Sequence, residues 1–288
     1  MIPLSDDSLR VDILHPSTDR VLLGPRFCTG GYIYQVWDKT KGPLLSGPEY
    51  PHHPPSVING QGAPEVFQNT LYNDGSEVPE RKMIIGVGIV RNTERHSHTE
   101  THFGSPVEKF CDWHVEISAT EVAMETRQES QAWDLSLSRS VSLEGRSVRS
   151  STRLRNIGGS PFAFRWFAHP FFPPTAGLIC CTLTPRPNPF AETGFAIDEG
   201  GSIRMRKGYD WSAGCFQLLE GLEGNVLRAS QPHPLVGDVI VGCDFPLLKA
   251  ALWANERTFS LEPFHSKSLE PGEEACWSIT YTFGNPTV

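Results

Sequence analysis

Alternating apolar and polar residues, in short runs cut by glycine or proline, recur from one end of this chain to the other. The last run is the clearest. Ala275, Trp277, Ile279, Tyr281 and Phe283 point one way, and Cys276, Ser278, Thr280 and Thr282 point the other. Glycine and proline, 26 and 24 residues, are spread along the chain rather than pooled in a linker. Between them lie β-type runs at Leu9–Leu14, Tyr32–Trp37, Met83–Val90, Trp113–Ala119, Glu121–Gln128, Leu135–Leu143 and Ser147–Asn156. Others follow at Phe162–Phe167, Leu178–Leu183, Ser202–Lys207, Val236–Gly242, Leu247–Trp253, Thr258–Glu262 and Ala275–Phe283. So many strands without crossover helices predict an all-β chain of packed antiparallel sheets. Helical spacing is nearly absent, and Ala63–Tyr72 is the one stretch expected to make a short helix. No composition break, internal repeat or low-complexity tract divides the 288 residues, so one domain is expected over 1–288.

The totals exclude some partners. A formal net charge of −8 gives no general attraction to nucleic acid or anionic lipid. No apolar run approaches the roughly 20 residues that span a bilayer, and the N-terminus lacks the order of a signal peptide. Seven cysteines, an odd number without paired CxxC spacing and with Cys180 and Cys181 adjacent, suit reduced thiols, so a cytoplasmic location is expected.

Two stretches carry the chemistry. In the aromatic run Pro161–Pro174, alternation puts Phe162, Phe164 and Trp166 on one face and Arg165, Phe167 and His169 on the other. Pro170 then ends the ladder and biases His169 towards extended backbone. In Thr258–Pro263, Phe259 and Leu261 take the apolar face, while Thr258, Ser260 and Glu262 share the polar one. An imidazole and a carboxylate at strand ends 93 positions apart form a candidate acid–base pair. Either group alone is more often structural: a histidine among aromatics is commonly a satisfied core residue, and a strand-end carboxylate is commonly solvated. Flanking a pyranose ring would separate their polar atoms by about 5–8 Å, as carboxyl groups bracket a sugar in glycosidases.

Other clusters have plainer readings. His96, His98, Glu100 and His102 fall on one face of an extended chain, yet span ~20 Å, too far for tetrahedral coordination unless the segment curls. A polar loop is expected there, and neither a bound metal nor a cofactor is called for. Cys111, Cys180, Cys181 and Cys276 read as small packed hydrophobes. Arg204–Lys207 is a short basic cluster, mostly a solvated edge. Residues 43–79 form the longest irregular region.

Four segments resemble the aldose 1-epimerase (galactose mutarotase-like) superfamily. Ala168-His169-Pro170-Phe171-Phe172 resembles its histidine–aromatic block. Ser260-Leu261-Glu262-Pro263, with Leu269-Glu270-Pro271-Gly272-Glu273 and the closing strand, resembles its C-terminal glutamate block. Thr152–Gly158 looks like the strand and turn leading into the histidine, and Arg26–Trp37 like the early strand of its first sheet. The resemblance implies a β-supersandwich that interconverts sugar anomers, with His169 as general acid, Glu262 as general base and a small-molecule carbohydrate as partner. The chain departs from the pattern where many members carry an early histidine. Asn59-Gly60-Gln61-Gly62-Ala63-Pro64-Glu65 stands there instead, which makes Glu65 a candidate for holding sugar hydroxyls. Arg26 and Arg165 are further binding candidates, and Trp253 a stacking platform. Two readings compete with a mutarotase: a non-catalytic carbohydrate-binding or sensing protein, and a lyase or sugar-phosphate isomerase. The last would need basic residues at the rim, and Arg204–Lys207 is the cluster that offers them.

Overall fold

The computed structural model describes residues 1–68, 70–71, 81–91, 105–130 and 133–284. Two antiparallel sheets dominate it. The larger has ten strands in the order His114–Ile117, Glu121–Glu129, Asp134–Glu144, Ser147–Asn156, Glu274–Phe283, Gly237–Cys243, Arg228–His233, Ile179–Thr184, Ser202–Met205, Phe195–Ile197. The smaller has five, in the order Cys215–Leu219, Lys249–Ala254, Phe259–Leu269, Phe162–Ala168, Glu65–Phe67. Two four-stranded sheets flank them, one built from residues 2–43 and one from residues 70–110.

Alternation explains how the two large sheets meet. Asp134–Glu144 buries every second residue, Leu135, Leu137, Arg139, Val141 and Leu143, against the smaller sheet. Phe162, Phe164 and Trp166 answer from the facing strand. Trp277 of the large sheet stacks on Phe164 at 4.9 Å between ring centroids and meets Trp166 edge-on at 5.5 Å. Such aromatic pairs add roughly 0.5–1.5 kcal/mol each beyond the area they bury.

One charge sits in this apolar layer. Arg139 occupies the register of the leucines and forms a buried salt bridge of 2.6 Å with Glu65 of the smaller sheet. Ser150 and Trp166 also donate to the Glu65 carboxylate, at 2.6 and 2.9 Å, while Arg139 donates to Thr152 and Ser150. The network ties the two sheets across their shared core.

The smaller sheet is covered on its other side as well. Residues 259–265 are buried on both faces. A second apolar cluster of Leu14, Leu23, Phe27, Tyr32, Tyr34, Val66, Phe167, Ala251 and Phe264 closes over the outer face. The N-terminal segments supply it, and this second layer is where the candidate acid–base pair lies.

The structure corrects several expectations. Ala63–Tyr72 is no helix: Glu65–Phe67 is a strand paired with Phe162–Ala168, and Thr70–Leu71 is a strand of a different sheet. Edge pairing with an aromatic strand overrides the weak local periodicity. A 3-10 turn at Arg20–Leu22 is the helical element among the described residues. Met83–Val90 is two strands, Arg81–Ile84 and Gly88–Arg91, because the chain turns at Gly86 with φ of 74°. Thr258–Glu262 is the start of Phe259–Leu269, which runs on through Pro263. Ile2–Ser5, Val107–Phe110, Cys215–Leu219 and Arg228–His233 are strands that the patterning did not single out. All seven cysteines are free thiols. Among the described residues, no helix is long and apolar enough to cross a membrane.

Candidate active site

Two neighbouring strands part and rejoin, and the gap is where the polar groups collect. Phe162–Ala168 and Phe259–Leu269 pair as far as Phe167 with Phe264, and meet again at the bridge between Phe172 and Phe259. Residues 168–171 and 260–263 between these points do not pair with each other. Pro170 and Pro263 both lie in this stretch, and neither has an N–H with which to continue a ladder. The histidine strand turns instead to the segment before Glu65: His169 N donates to Pro64 O at 2.9 Å, and Phe171 N to Gly62 O at 2.7 Å. Gly62 is required there. Its φ is 84°, and a Cβ would lie 2.4 Å from the carbonyl oxygen of Ile33.

His169, Ser260 and Glu262 converge in the gap. The imidazole Nδ1 is 2.8 Å from Ser260 Oγ, and Nε2 is 3.4 Å from Glu262 Oε1. Ser260 and Glu262 are two residues apart on one strand and so share a face. The expected 5–8 Å separation is not observed. Both oxygens that exchange protons in a ring-opening hemiacetal are bonded to the same carbon, so two groups in contact suffice, and bracketing the ring is unnecessary.

Burial sets the charge of the pair. His169 is 3% exposed and Glu262 5%. Rings of Phe171, Phe167, Trp253 and Phe27 surround the imidazole at 4.5, 5.7, 6.1 and 6.3 Å. Desolvation by this apolar box, followed by the nearby positive charge of Arg26, holds the His169 pKa well below its ordinary value. Desolvation pushes Glu262 up to about 8, against the opposing pull of Arg26 and Lys249. The 3.4 Å contact is therefore a carboxylic acid beside a neutral imidazole rather than an ion pair.

Arg26 stands next to the pair. Its guanidinium donates to Ile58 O at 2.7 Å and lies 4.9 Å above the Phe27 ring. Burial lowers its pKa, while the charges of Glu262 and Tyr32 raise it. Trp253 is half-buried and presents its ring perpendicular to the imidazole. The structure thus brings Arg26, His169, Trp253 and Glu262 together.

It does not bring Glu65 or Arg165 to them. Glu65 faces the inner core, where Arg139, Ser150 and Trp166 use its carboxylate. Arg165 shares the outward face of its strand, but it is exposed and four residues short of His169, about 13 Å along an extended chain. Arg204 lies in the ten-stranded sheet and pairs with Asp198 at 2.9 Å. His96, His98, Glu100 and His102 lie outside the described residues.

Some participants were not singled out from the sequence. Ser260 was visible only as a polar neighbour of Glu262. Lys249 is the lone charge in the apolar run Leu247–Trp253, a signal that could have found it. Phe27 and Phe171 could not be assigned to a box from local pattern, because their strands are distant in sequence.

No protein-family model and no curated protein matches the sequence. Solved structures do match. A galactose mutarotase related enzyme from Lactobacillus acidophilus superimposes with a TM-score of 0.61 at 13% identity, covering 99% of this chain and 98% of that one. A galactose mutarotase-like protein from Lactobacillus casei gives 0.59 at 14% identity, covering 98% and 99%. An aldose epimerase homologue from C. elegans gives 0.55 at 14%, covering 99% of both chains. Each likeness runs over nearly the whole of both chains and is carried by the same antiparallel sheets: this protein has the galactose mutarotase-like fold.

Proposed function

We propose that the protein interconverts the α and β anomers of an aldose, with His169 and Glu262 as the proton-transferring groups. The observation that supports this best is their 3.4 Å contact, which sets a proton donor and a proton acceptor within reach of two oxygens on one carbon. In the neutral pair, imidazole Nε2 takes the proton of the anomeric hydroxyl. The C1–O1 bond becomes a carbonyl as the bond from C1 to the ring oxygen breaks. That electron pair goes to the ring oxygen, which takes the proton of Glu262. Rotation about C1–C2 presents the other carbonyl face, and the same transfers in reverse close the ring and restore both groups.

This assignment exchanges the roles that the resemblance implied. A glutamate base with a histidine acid needs carboxylate and imidazolium, the two charged forms that burial disfavours here. Ser260 fits the exchanged roles if it accepts the Nδ1 proton, leaving Nε2 as the basic nitrogen. Trp253 offers its face to the apolar side of a sugar ring, and Arg26 lies beside the acid.

Mixing the protein with a freshly dissolved single anomer and following optical rotation tests the reading. Faster mutarotation than in buffer is expected, and no acceleration across a panel of aldoses would exclude it. A second reading has its own support, since both groups are nearly inaccessible and touch each other. It is a carbohydrate-binding protein without turnover. It requires sugar binding by calorimetry that persists in Glu262→Gln, with no exchange in either protein.

A further inference from the structure

Two cations attend the pair from different sides, and each rests on an aromatic ring. The Arg26 guanidinium is 4.9 Å from the centroid of Phe27, whose ring lies 6.3 Å from the imidazole of His169. The Lys249 ammonium is 4.6 Å from the centroid of Phe264. Phe264 stacks on Phe167 at 4.5 Å, and Phe167 lies 5.7 Å from the same imidazole. Lys249 and Glu262 project from adjacent strands, with Lys249 opposite Phe264 and Glu262 opposite Ala251 in the register.

These charges have no evident duty towards Glu262. Among the described residues, its carboxyl is in salt-bridge reach of His169 alone. Both cations pull its pKa down, and burial still carries it up to about 8. With the acid and the imidazole neutral, two positive charges remain at a buried site in a chain whose net charge is −8. Cations laid on aromatic rings in a poorly hydrated setting attract an incoming anion more strongly than they would in water.

We infer that the substrate is an anionic sugar, an aldose bearing a carboxylate or phosphate that Arg26 and Lys249 hold while His169 and Glu262 address C1. This rests on the anomer-exchange reading only for the position of C1. The charged group cannot be on O1, which has to remain a free hydroxyl for ring opening. A terminal carboxylate or a phosphate ester far from C1 satisfies both conditions.

Exchange NMR on glucose, glucuronate and glucose 6-phosphate tests this with one common ring. At low ionic strength we expect kcat/KM for at least one charged sugar to exceed that for glucose about tenfold or more, with the preference shrinking as salt is added. Which charged sugar wins identifies carboxylate or phosphate. Lys249→Gln, checked for unchanged melting, should move the ratio of charged to neutral sugar towards one. Exchange of glucose at least as fast as of both charged sugars would overturn the inference and leave anomer exchange standing. If no sugar is exchanged, binding decides by calorimetry. Tighter, salt-sensitive binding of a charged sugar retains the inference while anomer exchange falls, and no binding of either charged sugar ends both.

Discussion

His169 Nδ1 lies 2.8 Å from Ser260 Oγ, and this contact fixes the imidazole so that its other nitrogen faces Glu262. Both partners come from one strand, two residues apart, and the histidine comes from the strand beside it where their ladder opens. Three polar groups in a closed apolar box have only one another to satisfy them, so changes at any of them should be felt in the proton transfer.

Replacing Glu262 by glutamine keeps the shape and removes the transferable proton. Mutarotation should fall by about 10²–10⁴-fold, the usual contribution of a positioned acid or base. Polarimetry on purified Glu262→Gln measures it, with a melting curve to show that the fold survives. Wild-type rates in the variant would remove Glu262 from the mechanism.

Ser260→Ala leaves Nδ1 without its hydroxyl partner. A buried group so orphaned loses roughly 1–3 kcal/mol, and kcat should drop on the order of tenfold at that energy. Ser260→Thr should recover much of it. Nitrogen NMR of the imidazole provides an independent readout: the proton should reside on Nδ1 in the wild type and redistribute in the alanine variant. An Nε2-protonated imidazole in the wild type would contradict the proposed base.

Stability should depend on pH through Glu262. Below the ordinary carboxyl value of 4.5, folded and unfolded chains both carry its proton; from there to about 8 only the folded chain does. The folded state binds more protons in that window, so raising the pH lowers stability, by at most about 1.4 kcal/mol per pH unit for one proton. Above about 8 the effect levels off. His169 acts in the opposite sense and on the acid side: its lowered pKa means the unfolded chain gains the proton below 6.5, so stability rises with pH up to that point. Between 6.5 and about 8, urea unfolding should show Glu262→Gln gaining on the wild type as pH rises. Parallel curves would mean that the carboxyl is not held neutral. The same deprotonation should cut the mutarotation rate above about pH 8.

Glu65→Gln should damage folding rather than substrate affinity. It leaves Arg139 charged and buried without its counter-charge, a change that typically costs about 3–5 kcal/mol. Denaturant unfolding should show that loss, while KM of the folded fraction stays unchanged. A raised KM with undiminished stability would return Glu65 to the sugar site.

Period-two alternation made the sheets legible, down to Ser147–Asn156 with the same boundaries. It also sorted Phe162, Phe164 and Trp166 from Arg165 and Phe167, because side-chain direction along a strand is a local property. Local pattern failed where pairing decided the outcome. Glu65–Phe67 has a weak pattern of its own and is a strand because Phe162–Ala168 offers it an edge. The sequence alone also named His169 and Glu262 and put Ser260 on the glutamate's face.

Whether those groups meet was beyond it. Glu65 and Arg165 looked as eligible as Arg26 and Trp253, since nothing local says which face of a strand a neighbouring sheet will cover. Tertiary structure turned Glu65 into the inner core against Arg139 and closed the second apolar layer over His169 and Glu262. It thereby decided their protonation too, because desolvation depends on everything packed around a group, and the rings responsible are contributed by segments more than a hundred residues apart.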